Sequence, residues 1–350
     1  MSTTTPDGWR PRVQPRPALP RTELRNPLSS GLDTRRTIEI LTTLNDADAE
    51  VATAVRATLP ELARLVDLAV DALDVGGRIV YFGAGTSGRL AVLDAAELIP
   101  TYALEQGRFV ARIAGGPTAV VDAVEGAEDS VDEGALDAID LTAQDIAVGI
   151  AASGTTPYVR GALEAARRVG ATTALVTSNP ESPLAGLADV VVAPDTGPEV
   201  VTGSTRLKAG TAAKLVLNGF STAVMVRRGR VYDNLMVALV ATNEKLHQRS
   251  VRILGAVGGL EEQAAEAALR DAGGDLKTAI VAQLAGLPPA EARARLDSTD
   301  QHVRAAIDAP AADPRSRDGR PHDPEPERDA PTRRPTVRHA HTAPLGKDDR

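Results

Sequence analysis

The stretch Tyr81-Phe82-Gly83-Ala84-Gly85-Thr86-Ser87-Gly88-Arg89-Leu90 sets how the rest of the chain is read. An apolar run, Arg78 to Phe82, feeds a turn of glycine, serine and threonine, and that turn opens a helical pattern. Such a turn aims backbone N–H groups and hydroxyls at an anion on a helix N-terminus. Gly83, Gly85 and Gly88 also satisfy G-x-G-x-x-G, so the choice lies between a dinucleotide and a sugar phosphate. A dinucleotide needs an acidic residue about 20 residues on, at the end of the second strand, to hold the ribose hydroxyl. The second strand, Phe109 to Ile113, runs instead into Ala114-Gly115-Gly116. Two further hydroxyl-rich turns follow, Ser153-Gly154-Thr155-Thr156 and Gly203-Ser204-Thr205. Three such turns suit one small phosphorylated ligand better than a long dinucleotide.

Outward from that turn the pattern alternates. Strands are predicted at Ile79–Phe82, Phe109–Ile113, Ile146–Ile150, Thr173–Thr177 and Val190–Val192. Helices are predicted at Asp46–Leu73, Ser87–Leu98, Thr118–Val124 and Pro157–Val169, then near Ser204 to Arg227 and Leu235 to Leu254. The strands are continuous apolar runs, the sign of a parallel sheet covered on both faces. Repeated β-α units predict a doubly wound α/β sheet of five strands. Within this frame, residues 1–25 read as a mobile segment, 26–68 as N-terminal helices and 69–232 as the doubly wound domain. Residues 233–309 form C-terminal helices and an appendage of three short helical patterns. Residues 310–350, rich in Pro, Asp, Arg and His, have too few large apolar side chains to pack and are expected to be disordered.

Composition narrows the function. The chain has 350 residues, 43% of them hydrophobic, enough for one sizeable core. A formal net charge of −8 and only 2% aromatics argue against nucleic acid as a partner. Cysteine is absent, which removes disulfides, thiolate metal sites and a cysteine nucleophile. The N-terminus has no apolar signal-like run and no window reaches a membrane span, so a soluble, cytoplasmic protein is expected. Of five histidines, three (His322, His339 and His341) lie in the tail, leaving His247 and His302 in the folding part. Proton transfer is thereby pushed onto carboxylates.

Ser87, Ser153 and Ser204 each stand in a glycine-flanked turn, and the carboxyl ends of the strands would bring those turns together. Any one alone would read as a helix N-cap. Lys208, a turn beyond Ser204, can present a point charge to a phosphate or carboxylate or simply face solvent. Glu97 sits late in the otherwise apolar helix Leu90–Pro100, where the helix dipole favours cations rather than acids. Glu128 closes the acidic run Glu125-Gly126-Ala127-Glu128-Asp129, whose other reading is a solvated surface.

Gly83-Ala84-Gly85-Thr86-Ser87-Gly88-Arg89, followed by Asp94-Ala95-Ala96-Glu97, resembles the N-acetylmuramic acid 6-phosphate etherases. The resemblance extends through Ile113-Ala114-Gly115-Gly116, Val124-Glu125-Gly126-Ala127-Glu128-Asp129 and Ala151-Ala152-Ser153-Gly154. Its most specific part is Val200-Val201-Thr202-Gly203-Ser204-Thr205-Arg206-Leu207-Lys208-Ala209-Gly210. Arg25-Asn26-Pro27 near the start and Lys277-Thr278-Ala279-Ile280-Val281 in the appendage also match, so roughly residues 22–308 are covered. The resemblance implies a sugar isomerase (SIS) domain with a flavodoxin-like sheet, a homodimer with shared sites, and no metal or organic cofactor. It implies cleavage of the lactyl ether of N-acetylmuramic acid 6-phosphate by elimination and hydration. Glu97 is then the proton donor and Glu128 the second acid/base. Gly85, Thr86, Ser87, Gly88, Ser153, Thr155, Thr156, Ser204, Thr205 and Lys208 are then substrate-binding. Three departures stand out: Leu98-Ile99 where the family often has Cys-Pro, Thr155 where an arginine is common, and Ala238 where an acid is.

Two rivals share the fold. An aldose–ketose isomerase also begins by deprotonating C2, but has no use for an acid aimed at a leaving group on C3. A non-catalytic sugar-phosphate sensor, such as the glucokinase regulatory protein, carries two tandem SIS domains, for which this chain is too short.

Overall fold

Five apolar runs pair in parallel in the order β2-β1-β3-β4-β5 in a computed structural model that describes residues 19–239 and 244–309. The strands are β1 (Ile79–Gly83), β2 (Phe109–Ile113), β3 (Ile146–Ile150), β4 (Thr172–Val176) and β5 (Val190–Val192). All five residues of β1 and of β3 are buried, which accounts for their unbroken hydrophobicity. The order is the flavodoxin-like one, with the reversal between β1 and β3.

One face is covered by α2 (Val51–Arg56), α3 (Leu59–Asp74), α4 (Gly85–Tyr102) and α8 (Lys208–Arg227), while α1 (Thr37–Ala49), which buries no residue, lies against α2 and α8. The expected helix Asp46–Leu73 is broken twice, at Glu50 and before α3, and the second break follows from Pro60, which cannot donate an amide inside a helix and starts α3 instead. The other face is covered by α7 (Pro157–Arg168), with α6 (Val131–Asp137) against it; α5 (Thr118–Val121) is a single turn. Tyr81, Phe109 and Phe220 meet with ring centroids 5.9–6.4 Å apart, tying β1, β2 and α8. Buried aromatics of this size are each worth about 1.5–3 kcal/mol of burial. α8 is long and apolar enough to span a membrane by length and composition, contrary to the expectation that no window would be. Its apolar face is the core itself: Val216, Leu217, Phe220 and Val224 are buried against the sheet.

Past the sheet, β6 (Val231–Tyr232) and β7 (Leu235–Met236) form a hairpin where a helix was expected. Asp233 takes the left-handed conformation at its turn, and Asp-Asn is a pair that tolerates it. α9 (Glu244–Gly258) follows, then four helices rather than three: α10 (Glu262–Asp271), α11 (Leu276–Ala285), α12 (Pro289–Ser298) and α13 (Val303–Asp308). They share a separate apolar core that includes Leu254, Leu269, Ile280 and Leu296. Pro100 does not stop α4 as expected: the helix continues to Tyr102 and ends at Ala103, which is left-handed. The expectations for residues 1–18 and 310–350 lie outside the described residues. Residues 19–25, read as mobile, are held: Arg21 pairs with Asp195, Thr22 is buried, and Asn26 Nδ2 donates to the Pro198 carbonyl at 3.1 Å.

Candidate active site

A cleft of about 420 Å³ opens over the carboxyl ends of β1 and β3, where the strand order reverses. Open α/β sheets bind their ligands in that crevice. The three hydroxyl-rich turns meet there: Gly85, Thr86 and Ser87 from the first, Ser153, Thr155 and Thr156 from the second, Gly203 and Thr205 from the third.

The first turn leaves an open helix end. Ala84 precedes α4 in an extended conformation and offers no side-chain cap, so the leading N–H groups of α4 face the cleft without a partner. Gly88 does not line the cleft. A Cβ there would lie 2.5 Å from Ile113 Cγ1 and 2.8 Å from the Gly83 carbonyl, so its role is to let α4 pack onto β1 and β2.

The second turn is clamped from the end of β4. Asn179 Nδ2 donates to the Ser153 carbonyl at 2.9 Å and Ser182 Oγ to the Gly154 carbonyl at 2.7 Å. Gly154 has φ +71°, and a Cβ on it would lie 2.3 Å from Ser182 Oγ, so only glycine fits. Ser153 and Thr155 share a hydrogen bond of 2.8 Å, which presents their hydroxyls as one unit.

The third turn differs from expectation. α8 opens at Lys208 rather than Ser204, and its N-terminus already holds an anion. Both oxygens of Glu199, a fully buried residue, accept bonds of 3.0 Å from the Lys208 and Ala209 N–H groups. Burial pushes that carboxyl up, while the two amide bonds and the Lys208 charge pull the other way. Lys208 is itself buried, and its Nζ donates to the Thr196 carbonyl at 2.6 Å. Neither Lys208 nor Ser204 lines the cleft; Gly203 and Thr205, on either side of Ser204, do. Gly210 brings this element close to the first turn, since a Cβ there would lie 3.5 Å from Thr86 Cγ2.

Glu128 stands on the turn Ala127–Asp129 after left-handed Gly126, exposed and lining the cleft. Glu97 does not line it. It is exposed ten residues along α4 from Ser87, roughly 15 Å at 1.5 Å per residue. Exposed Leu93 and Ile99 flank it on the same helix. The segment carrying Glu97 is fixed by Asp94, which accepts from Tyr81 Oη (3.0 Å), Asn218 Nδ2 (2.8 Å) and Ser221 Oγ (2.9 Å). Burial pushes the Asp94 carboxyl up against the three donors that favour its charge.

Asp129, beside Glu128, also lines the cleft without having been predicted as a site residue, and so does Glu23. Glu23 lies in the segment read as mobile, and its only signal was the neighbouring Arg25-Asn26-Pro27 match. No lysine or arginine among the described residues lines the cleft. The arrangement therefore offers unpaired amides and hydroxyls to an oxyanion, with carboxylates nearby for proton transfer. Among the described residues, no three His, Asp or Glu side chains are grouped as metal ligands. A larger cleft, about 750 Å³, is lined wholly by residues 244–266 in the C-terminal helices; there His247 Nε2 lies 3.0 Å from Glu266. It takes no residue from the strand ends, and chemistry is assigned to the sheet-end cleft.

Residues 61–167 match the family described as the glucokinase regulatory protein N-terminal SIS domain. Over 288 residues the chain is 52% identical to the N-acetylmuramic acid 6-phosphate etherase of Enterobacter sp. (strain 638), covering 82% of this chain and 97% of that protein. It is 51% identical over 287 residues to the enzyme of the same name from Serratia proteamaculans (strain 568), covering 81% and 97%. Among solved structures, a phosphoheptose isomerase from Francisella tularensis is 19% identical with a TM-score of 0.42, covering 56% of this chain and 98% of that one. With about half of the aligned residues identical to these etherases along nearly their whole length, the chain belongs to the N-acetylmuramic acid 6-phosphate etherase family.

Proposed function

We propose that the protein cleaves the D-lactyl ether at C3 of N-acetylmuramic acid 6-phosphate, giving N-acetylglucosamine 6-phosphate and D-lactate during recycling of cell-wall amino sugars. The observation that carries this is the near-full-length identity to etherases. The sheet-end cleft is in keeping with it: the open N-terminus of α4, with Thr86 and Ser87, is suited to the phosphate. On the open-chain sugar, a base removes the proton at C2 and lactate leaves from C3 with a proton from an acid. Water then adds to the unsaturated aldehyde at C3, and C2 is reprotonated.

Glu128, unpaired and in the cleft, serves as an acid/base; Glu97 serves as the proton donor to lactate. Glu97 stands outside the cleft of its own chain, between exposed apolar side chains of α4. Its role therefore goes with a homodimer in which one subunit's Glu97 completes its partner's cleft. The location proposed is the cytoplasm, and the appendage of residues 233–309 is proposed as a separate packing unit beside the SIS domain of 69–232. The deciding measurement is release of D-lactate from N-acetylmuramic acid 6-phosphate by the purified protein; no release would exclude the etherase reading.

A further inference from the structure

Glu23 reaches the cleft from the N-terminal segment, and nothing among the described residues occupies its carboxylate. The turn Arg21–Glu23 is pinned beside the third cleft turn by the Arg21–Asp195 pair and by Asn26 on the Pro198 carbonyl. That places Glu23 over Gly203, so that a Cβ on Gly203 would lie 3.1 Å from Glu23 Oε2. Among the described residues this carboxylate has neither a hydrogen bond nor an ion pair, although Arg25 is two residues away.

The phosphate cannot be the group beside it. Among the described residues no cation lines the cleft to separate a carboxylate from a phosphate dianion, and like charges at contact repel strongly where water is partly excluded. A ligand whose phosphate sits on the α4 N-terminus must turn some other part toward Glu23, and that part has to be uncharged and able to donate. A sugar supplies such groups as hydroxyls and, in a 2-acetamido sugar, an amide N–H.

We propose that Glu23 is a substrate-contacting residue whose carboxylate accepts a hydrogen bond from a hydroxyl or amide N–H of the sugar, making the cleft select sugar phosphates over simple anions. This rests on the sugar-phosphate reading of the cleft. Glu23→Gln keeps the length of the side chain and the strap that holds it, but removes the charge. Loss of repulsion acts alike on any phosphate, while loss of the charge-assisted bond acts only on a ligand with a sugar. The ratio of dissociation constants, N-acetylglucosamine 6-phosphate over inorganic phosphate, isolates the bond.

Calorimetric titration of the full chain with these two probes measures that ratio. Glu23→Gln is expected to raise it by about tenfold, the usual scale for a hydrogen bond to a charged group. Retained binding of inorganic phosphate shows that the variant is folded with its anion site intact. A change of less than threefold in the ratio, or equal weakening of both ligands, overturns the proposal, as does a wild type that binds neither. Turnover is not needed for this test. A wild type that releases no D-lactate but shows the shifted ratio would sink the etherase reading and leave the role of Glu23 standing.

Discussion

Glu128 has no protein partner among the described residues, so its carboxylate is available to whatever enters the cleft. If it is the base at C2, Glu128→Gln will slow both exchange of the C2 proton and release of lactate by about 10²–10⁴, the usual scale for a lost acid or base. Glu97→Gln should behave differently, sparing C2 exchange in heavy water while blocking lactate release. In ¹⁸O-water the wild type should place label at the C3 hydroxyl, because the C3–O bond is the one broken. Full lactate release by folded Glu97→Gln would remove Glu97 from the chemistry. The roles proposed for both glutamates come from motif resemblance, since the residues alone show Glu97 as one acid in an apolar helix and Glu128 as one of several in an acidic run. Lys208 misled for a physical reason. A lysine at a helix start reads as a ligand for anions, but a buried carboxylate 9 residues upstream, Glu199, already satisfies that helix end.

At the scale of elements, strands were the most legible part, because burial on both faces leaves continuous apolar runs such as Ile146–Ile150. Errors fell where local chemistry competed with periodicity: Pro60 split a helix, and the turn at Asp233-Asn234 drew Leu235 and Met236, the first residues of an expected helix, into a hairpin. The N-terminal strap was invisible, since its anchors Arg21 and Asp195 are 174 residues apart and no periodic pattern spans such a distance. α4 concentrates the most function in one element, because one end presents amides to the cleft and the other carries Glu97. Its seat depends on Gly88, where an added methyl would meet the Ile113 side chain and the Gly83 backbone. Gly88→Ala is expected to destabilise by about 1–3 kcal/mol, read as a lower urea midpoint with an unchanged slope. An unchanged midpoint would mean that the contact is slack.

For the whole molecule, the proposed sharing of sites between two subunits makes a prediction that single chains cannot satisfy. Mixing inactive Glu97→Gln with inactive Glu128→Gln, then exchanging subunits, should restore about a quarter of wild-type activity, since half the dimers are mixed and each has one intact site. No restoration would place both glutamates on one subunit. Acid stability is a second global readout. Hydrogen bonds from Arg112, then Arg78, hold Asp140 down to about 2 from 3.8, although burial opposes them. Burial would push Asp145 up, yet bonds from Arg78 and the Thr142 N–H leave it below its ordinary value. Both carboxyls are depressed in the folded state, so the stabilisation from Asp140 is complete above 3.8 and is lost as the pH falls through about 2, and that from Asp145 is lost in the same acid direction. Arg78→Met should flatten this acid limb in melts recorded between those pH values. An identical limb in the variant would show that other groups carry it.

The strap also orders events in time. Arg21 is synthesised before its partner, and Asp195 follows 174 residues later. At the usual 5–20 residues per second that is a delay of roughly 9 to 35 seconds. Through that interval the segment bearing Glu23 has no surface to settle on. The cleft is thus finished by an earlier-made part of the chain docking onto a later one, and all five strands of the sheet have been synthesised before the strap carrying Glu23 can close.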